Sequence, residues 1–134
     1  MVKNILTDYI SFVKDFETLI RKQYKLSDDQ RVMPGMDSPY GKKGEIENYT
    51  YWFHGSGCSL EADGIECHYD YYIHDITFTL WSFKQFIITH PRYKNELLLT
   101  DQYLELELYK LVESKQLFWK IDGGVVWQVY HYKD

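Results

Sequence analysis

The dipeptide Asp63-Gly64 constrains the fold of this chain more than any other feature, because it separates two segments of alternating side chains. Such a dipeptide favours a two-residue type I′ turn between antiparallel strands. Successive side chains of a strand point to opposite faces, so the turn also decides which residues share a face. The cross-strand pairs that this turn predicts are Ala62 with Ile65, Glu61 with Glu66, Leu60 with Cys67, Ser59 with His68, and Cys58 with Tyr69.

The two faces of this hairpin separate apolar side chains from polar ones. A slip of one residue along either strand would mix the two sets, so their separation supports the register. We expect the apolar face to contact a core and the polar face to point outward. The apolar face holds Cys58, Leu60, Ala62, Ile65, Cys67, Tyr69 and Tyr71, and the polar face holds Ser59, Glu61, Glu66, His68 and Asp70.

The same region contains side chains of the types that bind zinc, namely His54, Cys58, Cys67 and His68. They include no Cys-x-x-Cys pair, which is typical of structural zinc sites. The register puts both thiols on the inner face and His68 on the outer one. The thiols are diagonal neighbours, about 7–8 Å apart, which also disfavours a disulfide. The sequence therefore predicts two buried free cysteines, and neither a metal site nor a cofactor.

His54 and Ser56 form a possible functional loop. A nucleophile and a base two residues apart rarely align, and no strand–turn–helix elbow follows Ser56, so we assign no catalytic residue. Two interpretations of His54 stay open. It is either a buried structural histidine or the centre of a small-ligand-binding or hydrolytic domain, with Asp70 or the pair His74-Asp75 nearby.

The acidic side chains of the outer face indicate a partner. Glu61 is predicted to lie opposite Glu66, and opposed like charges destabilise a strand pair. Residues 45–80 contain seven acidic residues and no Lys or Arg, in a chain of net charge −5. Nucleic acid needs clustered cations, so this pattern argues against it and favours a basic protein surface or a cation, with ordinary solvent-screened acidity as the alternative. The predicted partner-binding residues are Glu61, Asp63, Glu66, His68 and Asp70.

The start of the chain predicts a helix over residues 4–25, because apolar residues recur there at spacings of three and four. Asn4 or Thr7 is the expected cap, and Asp8 suits the positive end of the helix dipole. The opposite side of this helix is charged, so it should lie against a core. The apolar stripe consists of Leu6, Tyr9, Ile10, Val13, Phe16, Ile20 and Tyr24.

Two further helices are predicted in the second half of the chain. Residues 80–90 form a short helical pattern that ends before Pro91. Residues 100–115 alternate in part like a strand, but their length and their Leu, Glu and Lys content favour a helix. Thr100 or Asp101 would cap it.

Aromatic and β-branched residues predict strands at 48–53 and 73–80, on either side of the central hairpin. A second hairpin is expected over residues 117–132, around Asp122-Gly123-Gly124. The Pro- and Gly-containing residues 27–44 predict an irregular connection. This order indicates a single α+β domain over residues 1–134. We expect an antiparallel sheet of about six strands and three helices packed mainly on one face.

The chain has no stretch of roughly 20 apolar residues, and its first residues lack the apolar core of a signal peptide. Two cysteines fit reduced thiols better than a disulfide framework. We therefore expect a cytoplasmic protein that does not enter the membrane.

The run Phe53-His54-Gly55-Ser56-Gly57-Cys58 resembles the aromatic-His-Gly-x-Gly-Cys core of a bacterial family of unknown function. In that family an acidic hairpin and an aromatic-rich helix follow, as the acidic hairpin and 81-WSFKQFI-87 do here. The sequence departs from the family pattern at 73-IHDITF-78, where Gly and Arg are more typical. The resemblance implies a small cytoplasmic immunity protein of a polymorphic toxin system, with no catalytic residues to transfer.

An immunity protein covers the active site of a toxin or a surface beside it, and an acidic face suits a basic toxin. Tyrosine is enriched among the residues that dominate binding energy. Under this interpretation the expected anchors are Tyr49, Tyr51, Tyr72 and His68.

Overall fold

The computed structural model describes residues 2–27, 43–54, 57–69, 77–96, 100–114, 117–122 and 126–131. The α+β class is confirmed, and the elements are α1 (Val2–Tyr24), β1 (Lys43–Ile46), β2 (Tyr49–His54), β3 (Gly57–Ala62), β4 (Ile65–Tyr69), β5 (Thr77–Thr79), α2 (Leu80–Thr89), α3 (Asp101–Glu113), β6 (Leu117–Asp122) and β7 (Val126–His131). The strands form an antiparallel four-stranded sheet, β1-β2-β3-β4, and a three-stranded sheet, β5-β7-β6.

The predicted single sheet of about six strands is wrong, because the described residues form seven strands in two sheets. The additional strand is β1, which begins inside the region predicted as an irregular connection. Its residues alternate between the two faces, and Gly44 pairs with Tyr51 of β2. The predicted strand at 73–80 is described only at β5, and its residues 73–76 lie outside the described part. The closing hairpin is confirmed, with Asp122 paired to Val126.

Helix α1 carries the predicted apolar stripe and buries all of it except Tyr24, which is partly buried. It starts at Val2, earlier than predicted, so Asn4 and Thr7 lie within it and neither caps it. The Thr7 hydroxyl instead donates to the Lys3 carbonyl at 2.9 Å. Tyr9, a residue of the stripe, is fully buried. The stripe thus produces the helix and its packing face together.

Helix α1 lies on the inner face of the four-stranded sheet through a layer of aromatic rings. The Phe16 ring centroid is 5.4 Å from that of Tyr49 and 5.6 Å from that of Tyr51. Two of the buried tyrosine hydroxyls reach backbone carbonyls, and the first of them, Tyr49, donates to Phe12 at 2.8 Å. Tyr9 donates to the His68 carbonyl at 2.9 Å. These bonds satisfy polar groups that would otherwise cost free energy in the core.

The two later helices match their predicted positions. Helix α2 ends at Thr89, before Pro91, and packs Phe86 edge-on against Tyr9 with the ring centroids 5.4 Å apart. Helix α3 resolves the strand-or-helix ambiguity, because Leu104 and Leu108 are both fully buried at helical spacing. The Thr100 hydroxyl accepts the Tyr103 amide at 3.2 Å, which confirms the predicted cap.

Asp8 joins α1 to the turn that follows α2. It accepts a hydrogen bond from the Tyr93 hydroxyl, and Arg92 lies 3.6 Å away. Asp8 therefore makes a tertiary contact, rather than the predicted interaction with the positive end of the helix dipole.

At 23 residues, α1 is the longest of the described helices, and it is amphipathic, with one apolar side and one charged side. None of the helices in the described part of the chain combines the length and apolar character needed to cross a bilayer.

Glu17 is an ionisable residue within the buried side of α1, with only 3% of its surface exposed. The Arg21 guanidinium lies 3.5 Å from its Oε2, while its Oε1 meets no hydrogen-bond donor among the described residues. Burial raises the pKa of Glu17 to about 8, and the charges of Arg21 and Lys14 offset this only in part. The carboxyl therefore holds a proton in the folded protein at pH values where the unfolded chain has released it.

We expect Glu17→Gln to stabilise the protein increasingly as pH rises from about 5 to 9. The stability that the raised pKa contributes is fully present below about pH 4.5 and is lost as pH rises through the folded-state value, near 8. A neutral amide avoids this loss, so the gain in unfolding free energy at pH 9 should be of the order of 1–3 kcal/mol. Urea unfolding at pH 5, 7 and 9 measures it. Asp15→Asn, on the exposed side of α1, is the control, and an equal effect at all three pH values would contradict the assignment.

Two glycine substitutions separate a steric cost from a backbone cost. A Cβ added at Gly44 would lie 2.6 Å from Oη and 2.8 Å from Cζ of the buried Tyr51 ring. Gly44→Ala should therefore lower the unfolding free energy by about 1–3 kcal/mol. Gly64 has open space around it but a φ of +87°, so Gly64→Ala should cost about 1–2 kcal/mol from the backbone alone.

Urea denaturation of both variants and of the Tyr51→Phe combination checks this pair. Removing the Tyr51 hydroxyl should recover part of the loss in Gly44→Ala and none in Gly64→Ala. If Tyr51→Phe changed the unfolding free energy of both glycine variants equally, the Tyr51 ring would be shown to move aside freely from a Cβ at position 44.

Candidate functional site

The central hairpin has the register that the turn chemistry predicts. All five cross-strand pairs are confirmed, from Ala62 opposite Ile65 to Cys58 opposite Tyr69. Asp63 and Gly64 have φ angles of 54° and 87°, as a type I′ turn requires. The outer face of β2, β3 and β4 is the candidate site, because this register projects the acidic side chains there.

The two thiols belong to the opposite, inner face. Cys58 and Cys67 are free and buried in the core. Burial raises the pKa of both thiols above the usual value, so they stay protonated at neutral pH. His68 has its side chain on the outer face and does not join them. Among the described residues, no group of three or more His, Cys, Asp or Glu side chains is arranged to hold a metal ion. The thiols pack as small apolar groups.

Two rows of side chains cross the outer face, because residues paired across strands stand side by side. The first row runs from Thr50 through Glu61 to Glu66. The second runs from Lys43 through Trp52, Ser59 and His68.

Each carboxylate of the acidic pair has its own donor. Glu61 Oε1 accepts the backbone amide of Gly64 at 2.7 Å, and Glu66 Oε2 accepts the Gln85 side-chain amide at 2.9 Å. Asp63, at the turn, accepts a hydrogen bond from Asn48 at 2.9 Å. These donors offset part of the repulsion that the sequence predicts between Glu61 and Glu66.

Helix α2 forms the wall beside β4. The Thr89 hydroxyl accepts the backbone amide of Glu66 at 2.9 Å and donates to the Gln85 carbonyl at 2.7 Å. One helical turn away from Gln85, Trp81 meets the His68 ring edge-on, with the ring centroids 6.3 Å apart. The helix thereby holds an aromatic ring beside the second row of the sheet.

An open groove of about 410 Å³ lies between this wall and β2. Its exposed rings are Trp52 and Trp81, with 44% and 64% of their surfaces accessible. The Lys43 ammonium group lies 4.8 Å from the centroid of the Trp52 ring, within the range of a cation–π contact. Ser59, Glu61, Glu66 and His68 also line the groove, so it brings four of the outer-face side chains together.

The aromatic anchors predicted on β2 are wrong. Tyr49 and Tyr51 are buried against Phe16, because they alternate with outward-facing Trp52. Extending the hairpin register by one strand would have identified Trp52 as the partner of Ser59. The presence of Trp81 at the site depends on where α2 packs against the sheet, and the spacing of residues in the sequence does not indicate this.

Several predicted site residues lie outside the described part of the chain. These are Ser56, Asp70 and Tyr72, together with the side chain of His54. The backbone of His54 ends β2 and pairs with Gly57.

The face assignment predicts a pattern of thiol reactivity. In the native protein Cys58 and Cys67 should not react with an aromatic disulfide reagent within minutes, because their thiols are buried and protonated. Both should react after denaturation. Ser59→Cys, between them in the sequence but on the groove side, should add one thiol that reacts in the native state. Prompt native reaction of the unsubstituted protein would contradict the burial of the inner face.

Comparison with known proteins assigns the chain to a family whose activity is not known. A family model described as a domain of unknown function (DUF6896) matches residues 2–131. No curated protein and no solved structure shows significant similarity to the chain. The family match agrees with the expected domain of unknown function and attaches no immunity role to it. Since the match spans both hairpins and all three helices, the chain belongs to the DUF6896 family.

Proposed function

We propose that this protein is a small cytoplasmic protein-binding domain of the immunity type, which neutralises a basic toxin or another basic partner through the outer face of β2–β4. The observation that carries the proposal is the confirmed pairing of Glu61 with Glu66 on the outward side of the hairpin. Asp63 stands at the adjacent turn, and His68 lies in the neighbouring row.

The electrostatics of this face favour a cationic protein surface. Like charges placed directly opposite each other weaken a strand pair, and cations of a partner relieve that repulsion. A field of one sign also raises the association rate of an oppositely charged partner. Lys43, at the border of the face, is a cation of the groove, and residues 45–80 contain no Lys or Arg.

The alternative is a small-ligand-binding or hydrolytic domain centred on His54. It needs a pocket that unites His54 with Asp70 or His74-Asp75, and these acids and His74 lie outside the described residues. The histidine that lines the described groove is His68. The exposed indole rings and the acidic pair of this groove are the observations that favour the protein-binding function.

The double charge reversal Glu61→Lys/Glu66→Lys should abolish capture of the partner. The screen begins with co-purification of the protein with the products of its neighbouring genes. Co-expression then tests whether the protein restores growth against a toxic product. Surface plasmon resonance with the captured partner should show an association rate lower by about 10- to 1,000-fold for the reversed variant, with the difference shrinking as salt rises.

Glu96→Lys/Glu105→Lys is the matched control, because it makes the same charge change at two exposed residues outside the groove. It should retain capture and most of the association rate. Circular dichroism of both doubles checks that the fold persists. Normal partner binding by the Glu61/Glu66 variant, or equal loss in the control, would remove this face as the interface.

A further inference from the structure

We propose that the groove between Trp52 and Trp81 receives one arginine side chain of the basic partner, with its guanidinium stacked on Trp81 and paired with Glu66. This inference rests on the proposed function and specifies the chemistry by which the outer face recognises its partner.

The small side chain of Ser59 forms the floor of the groove, between the aromatic rings of Trp52 and His68. Trp52, Ser59 and His68 are neighbours across three adjacent strands, so Trp52 and His68 stand about 10 Å apart above the small Ser59 side chain. Trp81 stands beyond His68 and meets it edge-on. The space over Ser59 is therefore wide enough for a flat group to enter between rings.

The chain itself places a cation on one of these rings. Lys43 Nζ lies 4.8 Å from the Trp52 centroid, so the Trp52 side of the groove already makes a cation–π contact. Trp81 is the more exposed indole, with 64% of its surface accessible. A second cation therefore finds its aromatic surface at Trp81, on the side of the groove away from Lys43.

Helix α2 sets the carboxylate beside that ring. Trp81, Gln85 and Thr89 are spaced four residues apart and share one side of the helix. Gln85 donates to the Glu66 carboxylate at 2.9 Å, and Thr89 accepts the Glu66 amide at 2.9 Å. Ring and carboxylate are thus both held by the same two regular elements, α2 and β4. A site on such elements keeps its geometry before the partner arrives.

Arginine fits this pair of groups better than lysine or a neutral ligand. Its guanidinium is planar, stacks on aromatic rings and donates parallel hydrogen bonds to a carboxylate, whereas an ammonium group acts as a point charge. Glu61 lies next to Glu66, so the two carboxylates exceed the single positive charge of Lys43 and the groove is negatively charged. The groove volume of about 410 Å³ is near the lower end for small-molecule sites, so it suits one long side chain from a larger partner.

A small probe tests the groove without the partner. N-acetyl-argininamide is titrated into the ¹⁵N-labelled protein, and the four tryptophan indole signals are followed, after assignment by single Trp→Phe variants. We expect the Trp52 and Trp81 signals to shift, with saturation in the millimolar range. The citrulline analogue, which has the same shape without the charge, should cause no saturable shift.

The variants assign the contacts. Trp81→Ala should abolish the saturable shift of the Trp52 indole signal. Glu66→Gln should lower the affinity for the arginine probe by about tenfold or more. Glu105→Gln, which removes a charge from exposed α3, should leave binding unchanged. Trp81 is largely exposed, so its substitution is expected to preserve the fold, and the amide spectrum verifies this. If Trp81→Ala does not fold, Glu66→Gln carries the test.

The outcomes separate this inference from the proposed function. Equal binding of the citrulline analogue, or of a neutral hexose, would overturn a cation site in the groove. If Trp81→Ala and Glu66→Gln bind the captured partner normally while the Glu61/Glu66 charge reversal does not, the arginine pocket is wrong and the acidic interface stands. Saturable arginine binding without capture of any basic protein would support the pocket and count against the proposed function.

Discussion

The packing of Phe16 against the aromatic side chains of β2 decides which face of the four-stranded sheet is the inside. Phe16 contacts Tyr49, Tyr51 and Phe53, which occupy alternate positions of that strand. The residues between them must then face away from α1, and the hydrogen-bonded pairing carries the same division to β3 and β4. A slip of one residue along β3 would place Glu61 against the helix and Cys58 outside, at a large cost in desolvation.

Stability and the proposed recognition are thereby assigned to opposite surfaces of the same four-stranded sheet. The inner surface buries rings, thiols and tyrosine hydroxyls that reach backbone carbonyls. The outer surface gathers Trp52, His68 and the carboxylates around a groove, with α2 as its wall. Glu17 is the exception to this division, because it places a carboxyl on the inner side with a pKa of about 8. Its position makes the stability of the core fall as pH rises from about 4.5 to about 8.

Local chemistry was sufficient to predict much of this arrangement from the sequence. The Asp63-Gly64 turn determines every pair of the β3–β4 hairpin, and apolar spacing locates all three helices. The two-sheet arrangement and strand β1 were missed, because Gly44 and its lysine neighbours resemble a loop when their pairing with β2 is not known. The acidic residues of the candidate site were placed correctly on the outer face as far as they are described. The groove was not foreseen, since the Gln85–Glu66 contact joins residues that only tertiary packing brings together.

The Thr89 hydroxyl that accepts the Glu66 amide has a consequence for how copies of this protein behave at high concentration. Strand β4 ends the four-stranded sheet, and an amide there is a docking point for a strand of another molecule. Thr89 occupies that donor, and α2 stands along the same border. At the opposite border, the described residues of β1 present Lys43 and Glu45 outward. The described margins of the sheet are thus poor templates for strand-by-strand polymerisation, which would leave the aromatic and acidic face available for the proposed recognition.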